Sequence, residues 1–233
     1  MGDSLPTLKW LVDHGCPWDG IGIVRQAALN NNVDMLQWTK DNGCRPDTHT
    51  CNYAAENGNI EAIQWARNNG YSWSINTCAS AARGGHLEAL KWLRSQGCPW
   101  DAWVCRAAAH NGHLEVLQWA ISEKCETRGA ISYAAKGGQL FVIKWLRLMG
   151  IPWDKDTCSL AAYDNRLDVL KWVVENGCPW NHDTLAKIVK YGTVETIEWA
   201  LEKISSVTKE AILGEAKANN RKDLVEWINK SIL

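Results

Sequence analysis

The 233-residue chain is poor in phenylalanine, with Phe141 alone, and it has no excess of charge of either sign. Its 25 Lys and Arg stand against 26 Asp and Glu, for a formal net charge of -1. Nucleic-acid binders usually carry a strong basic excess, so this balance argues against nucleic acid and, for the same reason, against an anionic membrane surface. No apolar run approaches the ~18 residues that a membrane helix needs. Residues 1–15 lack a basic patch followed by an apolar core, so no signal peptide is expected. Pro6 stands where a myristoylation motif wants Ser or Thr. At 46% hydrophobic and 22% charged, the composition is that of a folded chain and not of a disordered one.

Two residue types are in excess: 15 Trp and nine Cys. Both obey a repeat. Trp10, Trp38, Trp65, Trp92, Trp119, Trp145, Trp172, Trp199 and Trp227 follow one another at 26 to 28 residues. Leu, Ile or Val stands two residues before each, and Lys, Gln or Glu directly before. A second series, Trp18, Trp73, Trp100, Trp153 and Trp180, lies about eight residues later in G-C-P-W-D or a relative of it. A third series is an Ala pair ten and eleven residues before the main Trp, as at Ala81 and Ala82. Trp103 is the one Trp outside every series.

Eighteen residues before the main Trp of the inner repeats stand Asp47, Ser74, Asp101, Thr127, Asp154 and Asn181. Their side-chain oxygens suit helix N-caps, so a first helix of about eight or nine residues is expected to start there. It should end near Gly58, Gly85 or Gly112, and a second helix should run through the main Trp to Gly43, Gly70, Gly97, Gly150 or Gly177. On a helical wheel, Leu87, Ala89, Leu90, Trp92 and Leu93 span an arc of roughly 220°. Arg94 falls just inside its edge, where the stem can lie on the core and the head reach water. Such a helix packs against its own repeat and both neighbours, and columns of buried Trp are expected to build the core of a solenoid.

The strings A-A-x-x-G-H-L-E-x-L-K/Q-W at residues 81–92 and 108–119 resemble ankyrin repeats, and the G-C-P-W-D loop resembles the end of such a repeat. The Trp-rich, Cys-Pro-Trp dialect is similar to ankyrin repeats abundant in giant DNA viruses and protists. The resemblance covers about residues 8–230 and implies an all-α, ankyrin-like α-solenoid. The ankyrin period is ~33 residues and the period here is 27, so the β-hairpins are expected to be shortened or absent. The expected organisation is a single repeat domain over 1–233. It comprises an N-terminal half repeat over 8–18, seven repeats over 19–207 and a more polar C-terminal capping repeat over 208–233.

Cys51, Cys78, Cys105 and Cys158 fall on the buried side of first helices, and Cys16, Cys44, Cys98, Cys125 and Cys178 in the following loops. Like slots in adjacent repeats are roughly 10 Å apart, beyond the ~7 Å reach of a disulfide. Free thiols in a reducing compartment are therefore expected. Cys44/Cys51 and Cys98/Cys105 share a C-x6-C spacing, with His110 and His113 nearby, but no C-x2-C or H-x3-H pair exists, so no metal is expected. His86 and His113 are read as structural hydrogen-bonding residues near a turn. The Gly pairs at 84–85 and 137–138 follow a helix and are not phosphate loops. No nucleophile-base or paired-carboxylate arrangement departs from the repeat, so neither catalysis nor a cofactor is expected.

The slots two, five, six and nine after each first-helix N-cap vary most between repeats, and they share one helix face. Aligned, they form a stripe on what resembles the concave ankyrin surface. The candidate partner-binding residues on it are Asn76, Arg83, Trp103, Arg106, His110, Tyr133, Lys136 and Tyr163. Trp, Tyr and Arg are the usual interface hot spots. The resemblance implies a protein-binding adaptor, expected to be a cytoplasmic monomer (host cytoplasm for a viral source). A self-associating rod is the alternative.

Overall fold

In a computed structural model of the chain, described for residues 5–44, 49–204 and 207–230, every described element is a helix and no strand occurs among them. In chain order these are α1 (Leu5–Asp13), α2 (Gly20–Leu29), α3 (Val33–Asp41), α4 (Thr50–Glu56), α5 (Ile60–Asn68) and α6 (Ile75–Gly84). Then come α7 (Leu87–Ser95), α8 (Ala102–Asn111), α9 (Leu114–Ser122), α10 (Ala130–Gly137), α11 (Leu140–Leu148) and α12 (Thr157–Tyr163). The last are α13 (Leu167–Glu175), α14 (His182–Tyr191), α15 (Val194–Lys203), α16 (Lys209–Ala218) and α17 (Lys222–Lys230). From α2 on, even-numbered helices are the first and odd-numbered the second of each repeat, as the period requires.

The turns are fixed by residues in the left-handed region. Gly85, at φ 78, ends α6, and the His86 N–H reaches back to the Ala81 carbonyl at 3.0 Å. Gly97, at φ 79, ends the second helix of that repeat, with the Cys98 N–H on the Leu93 carbonyl at 2.9 Å. These back-bonds satisfy carbonyls that a helix end leaves orphaned. Asn31 and Asn165 take the first glycine slot and Lys124 the second, all at positive φ.

The N-termini divide. Ser74 caps α6, accepting from the Asn76 N–H at 3.2 Å while its own N–H donates to Thr77 Oγ1 at 3.1 Å. Asp101 accepts from the Trp103 N–H at 2.9 Å, and Asn181 from the Thr184 N–H at 2.9 Å. Thr127 and Asp154 do not cap their own helices. The chain first makes a turn, so α10 starts after Gly129, at φ 82, and α12 starts after Asp156. Asp154 Oδ2 instead accepts from the Ser132 N–H at 3.3 Å and hydroxyl at 2.8 Å, covering an orphan first-turn amide of α10. Asp47 lies outside the described residues.

The chain forms two compact units, 1–108 with 113–126, and 109–112 with 127–233. In the first, α4 packs on α2 and α6; in the second, α12 packs on α10 and α14, and α14 on α16. The Ala pairs explain this close approach of first helices: Ala54, Ala55, Ala81, Ala82, Ala134, Ala135 and Ala161 are fully buried. Second helices add Leu36, Ile63, Leu90, Leu93, Leu117, Ile143, Leu146 and Leu170, also fully buried.

The core is thus Ala, Leu, Ile, Val and Cys, and the expectation of a Trp core does not hold. Of the main Trp series only Trp199 is buried, Trp10 is exposed, and the others are half-buried. Loop and main Trp instead meet edge to face, Trp73 with Trp92 at 6.2 Å, Trp100 with Trp119 at 5.7 Å and Trp153 with Trp172 at 6.2 Å between centroids. An arginine covers each of these three loop Trp: Arg67 over Trp73 and Arg94 over Trp100 at 4.3 Å, Arg147 over Trp153 at 4.5 Å. The same arginines donate to the carbonyls of Tyr71, Cys98 and Ile151. The Arg94 head therefore fastens the loop to the second helix, where the wheel alone sends it to water.

Candidate functional site

In the first unit, the first-helix face carries an open cleft of about 390 Å³. Its floor is Ala79, Ser80 and Ala107, all buried. The rim carries Asn52, Tyr53, Glu56, Asn76, Arg83 and Trp103, with His49 at one end. The stripe therefore differs from the sequence expectation in depth. Several residues in slots five and six after the cap are closed in by neighbouring first helices, so Ala79, Ser80, Ala107, Ser132 and Ser159 are buried. Arg106, Tyr133, His110 and Lys136 are half-buried, and Asn76, Arg83, Trp103 and Tyr163 are exposed.

Trp103 projects because α8 presents its second residue away from the aliphatic core; it is 43% exposed. The Arg106 guanidinium, one turn on, lies 5.0 Å from the Trp103 ring centroid. Asn76 and Arg83 are exposed, and Arg83 Nη1 approaches Glu56 Oε1 at 3.8 Å. With both side chains largely solvated, that ion pair contributes little to stability. Tyr53, which the sequence places on the stripe but does not single out, is half-buried under Arg25 at 5.1 Å.

In the second unit, His110 Nδ1 is 3.3 Å from the Tyr133 carbonyl oxygen. Tyr163 is exposed and packs on Tyr191 at 4.6 Å between centroids. Lys136 and Lys187 lie over the Tyr163 ring at 5.3 and 5.6 Å, and Lys190 over Tyr191 at 5.2 Å. The result is a tyrosine pair ringed by three cations. Tyr191 is missed by the sequence because it falls at the helix end, past the variable slots that the repeat defines.

The histidines at the start of second helices are turn partners. The His113 Nε2 is 2.9 Å from the Arg83 carbonyl, and its ring lies against Gly85. His86 lies against Gly58 in the same way. Among the described residues, no three or more His, Cys, Asp or Glu side chains gather as metal ligands. All nine thiols are free. Cys51 is pushed up to about 11 by burial and the neighbouring Tyr71 hydroxyl to about 12, also by burial. Neither group is poised for chemistry near neutral pH.

Comparison with known proteins fits this geometry. The family model described as ankyrin repeats (many copies) matches residues 51–94 and 78–121. No curated protein sequence matches. Among solved structures, the human ASB11 ankyrin repeat domain superposes with a TM-score of 0.50 at 13% identity, covering 82% of this chain and 96% of that one. No helix among the described residues is long and apolar enough to cross a membrane. Residues 51–121 match the ankyrin-repeat family model, and the chain folds as an ankyrin-like α-solenoid.

Proposed function

We propose that this chain is a non-enzymatic binding module that holds a protein partner against its first-helix face. Ankyrin repeats generally mediate protein–protein interaction and are typically non-enzymatic. The observation that carries the choice of face is Trp103, 43% exposed at the rim of a cleft floored by the small side chains of Ala79, Ser80 and Ala107. Trp103 anchors the partner by burying its exposed surface, and Arg106 supplies directional hydrogen bonds. Asn76 and Arg83 contribute polar rim contacts. On the second unit, Tyr133, Lys136, Tyr163 and His110 form a further contact patch.

The test is binding by folded variants. Trp103→Ala removes the anchor, and Asn76→Trp fills the cleft from an exposed position. A partner captured by the unaltered chain should bind both variants more weakly by about 2 kcal/mol or more, some thirtyfold. Retention by both variants at full affinity overturns the choice of face. The alternative, a self-assembling rod, predicts concentration-dependent growth of the purified chain in light scattering, where a receptor remains monomeric. The Trp-rich dialect and the 27-residue period support a giant-virus or protist source, with action in the cytoplasm, that of the host for a viral chain.

A further inference from the structure

The two cysteine slots of the repeat sit on different elements and meet in space. Cys158 on α12 and Cys178 in the loop after α13 are twenty residues apart in sequence, and their sulfurs are 3.0 Å apart. Carbon atoms in ordinary contact sit about 3.5–4.0 Å apart, and sulfur is larger. The same two slots hold Cys78 with Cys98, where the Cys78 thiol reaches the Cys98 carbonyl at 3.9 Å, and Cys105 with Cys125. The distance that excludes disulfides between like slots of adjacent repeats therefore does not apply to unlike slots of one repeat. Packing does not require sulfur here, because the equivalent slots of another repeat hold Ile131 and Ile151.

We propose that Cys78–Cys98, Cys105–Cys125 and Cys158–Cys178 are dithiol sites that a peroxide converts reversibly to disulfides, one within each repeat. The loop thiolate attacks a peroxide oxygen, the O–O bond breaks, and the leaving hydroxide takes a proton to become water. The sulfenic acid so formed is attacked by the helix thiol; the S–S bond forms and a second water leaves with the sulfenic oxygen. Each pair loses two protons and two electrons, and one hydrogen peroxide becomes two waters. The loop sulfur is the attacking one on two grounds. The hydrogen bond that Cys158 donates holds Cys178 below the usual thiol range, helped by Arg147. In two of the pairs the loop cysteine is also the more accessible residue, Cys125 at 6% and Cys178 at 5% exposure against none for Cys105 and Cys158. Cys98 is fully buried, so its pair reacts last.

The reduced full chain is treated with hydrogen peroxide, alkylated in denaturant, digested without reductant and read by mass spectrometry. Three linked peptides are expected, with Cys16, Cys44 and Cys51 alkylated and all nine thiols recovered after dithiothreitol. Cys51 is the internal control, since its slot partner is Tyr71. Closing three loops raises the melting temperature by several degrees, a gain lost on reduction. Cys158→Val, which keeps apolar volume, abolishes the linkage to Cys178 and leaves the other two. Full alkylation of all nine after peroxide, or a cross-repeat link such as Cys51 to Cys98, overturns the proposal.

Discussion

Replacing Arg94 by Met leaves an unbranched stem on the core and removes a donor and a cation. In the native chain Nη1 donates to the Cys98 carbonyl, and the guanidinium lies 4.3 Å from the Trp100 centroid. A hydrogen bond to a charged group is worth about 1.5–3 kcal/mol, and the half-buried position of Arg94 puts it at the lower end. Cation–π stacking at a partly solvated site adds about 0.5–1 kcal/mol. The bereaved carbonyl keeps only the Cys78 thiol at 3.9 Å, a weak donor. Arg94→Met should therefore cost about 2 kcal/mol, and Arg94→Lys, which keeps charge without the planar fork, about half of that. The assay is urea unfolding followed by Trp fluorescence, with hydrogen exchange of α7 and the following loop, because repeat arrays lose two-state cooperativity. Arg67→Met and Arg147→Met are replicates in other repeats, with the same donor geometry and the same stacked Trp. A loss below about 0.5 kcal/mol in all three, the size of a neutral surface change, would refute the reading of these arginines as loop fasteners.

Three further outcomes are expected. Gly85→Ala forces a left-handed alanine whose Cβ meets the His113 ring at 2.6 Å, whereas Gly97→Ala, at nearly the same φ, meets nothing within 4 Å. Both lose about 1 kcal/mol to conformation, and chemical denaturation should find Gly85→Ala worse by a further 1 kcal/mol or more, relieved in part by His113→Ala. Trp103→Ala should lower stability by about 2 kcal/mol, since more than half of the ring is covered and Arg106 stacks on it. A full core loss of about 3–5 kcal/mol would instead make it a packing residue. Burial raises Cys51 from 9.0 to about 11, so the unfolded thiol ionises first. Its contribution is complete below about pH 9 and is lost toward pH 11, a fall of about 2–3 kcal/mol that Cys51→Ala should remove from urea midpoints measured across that range.

The sequence by itself determined what is local and periodic. The spacing of the main Trp set the repeat, the glycines set both helix ends, and with about six residues fewer than the ~33-residue ankyrin period no strand occurs among the described residues. Each of these depends on backbone preference within a few residues, as with Gly85 and Gly97 at positive φ. Ser74 and Asn181 were legible as caps for the same reason, since the accepting oxygen and its amide are two or three residues apart. Asp154 was not, because the amide it serves belongs to Ser132 in the preceding repeat. The helical wheel gave the direction of Trp92 but not what lies against it; the aliphatic and alanine side chains fill the centre, and the larger indoles are left half-covered at its edge. The variable slots marked the face of the cleft, while its depth depended on how closely the alanine pairs let neighbouring first helices approach. The thiol pairs are the furthest from the sequence. Cys158 and Cys178 are twenty residues apart and occupy different columns of the repeat, and only the folding of helix, helix and loop onto one another brings their sulfurs to 3.0 Å.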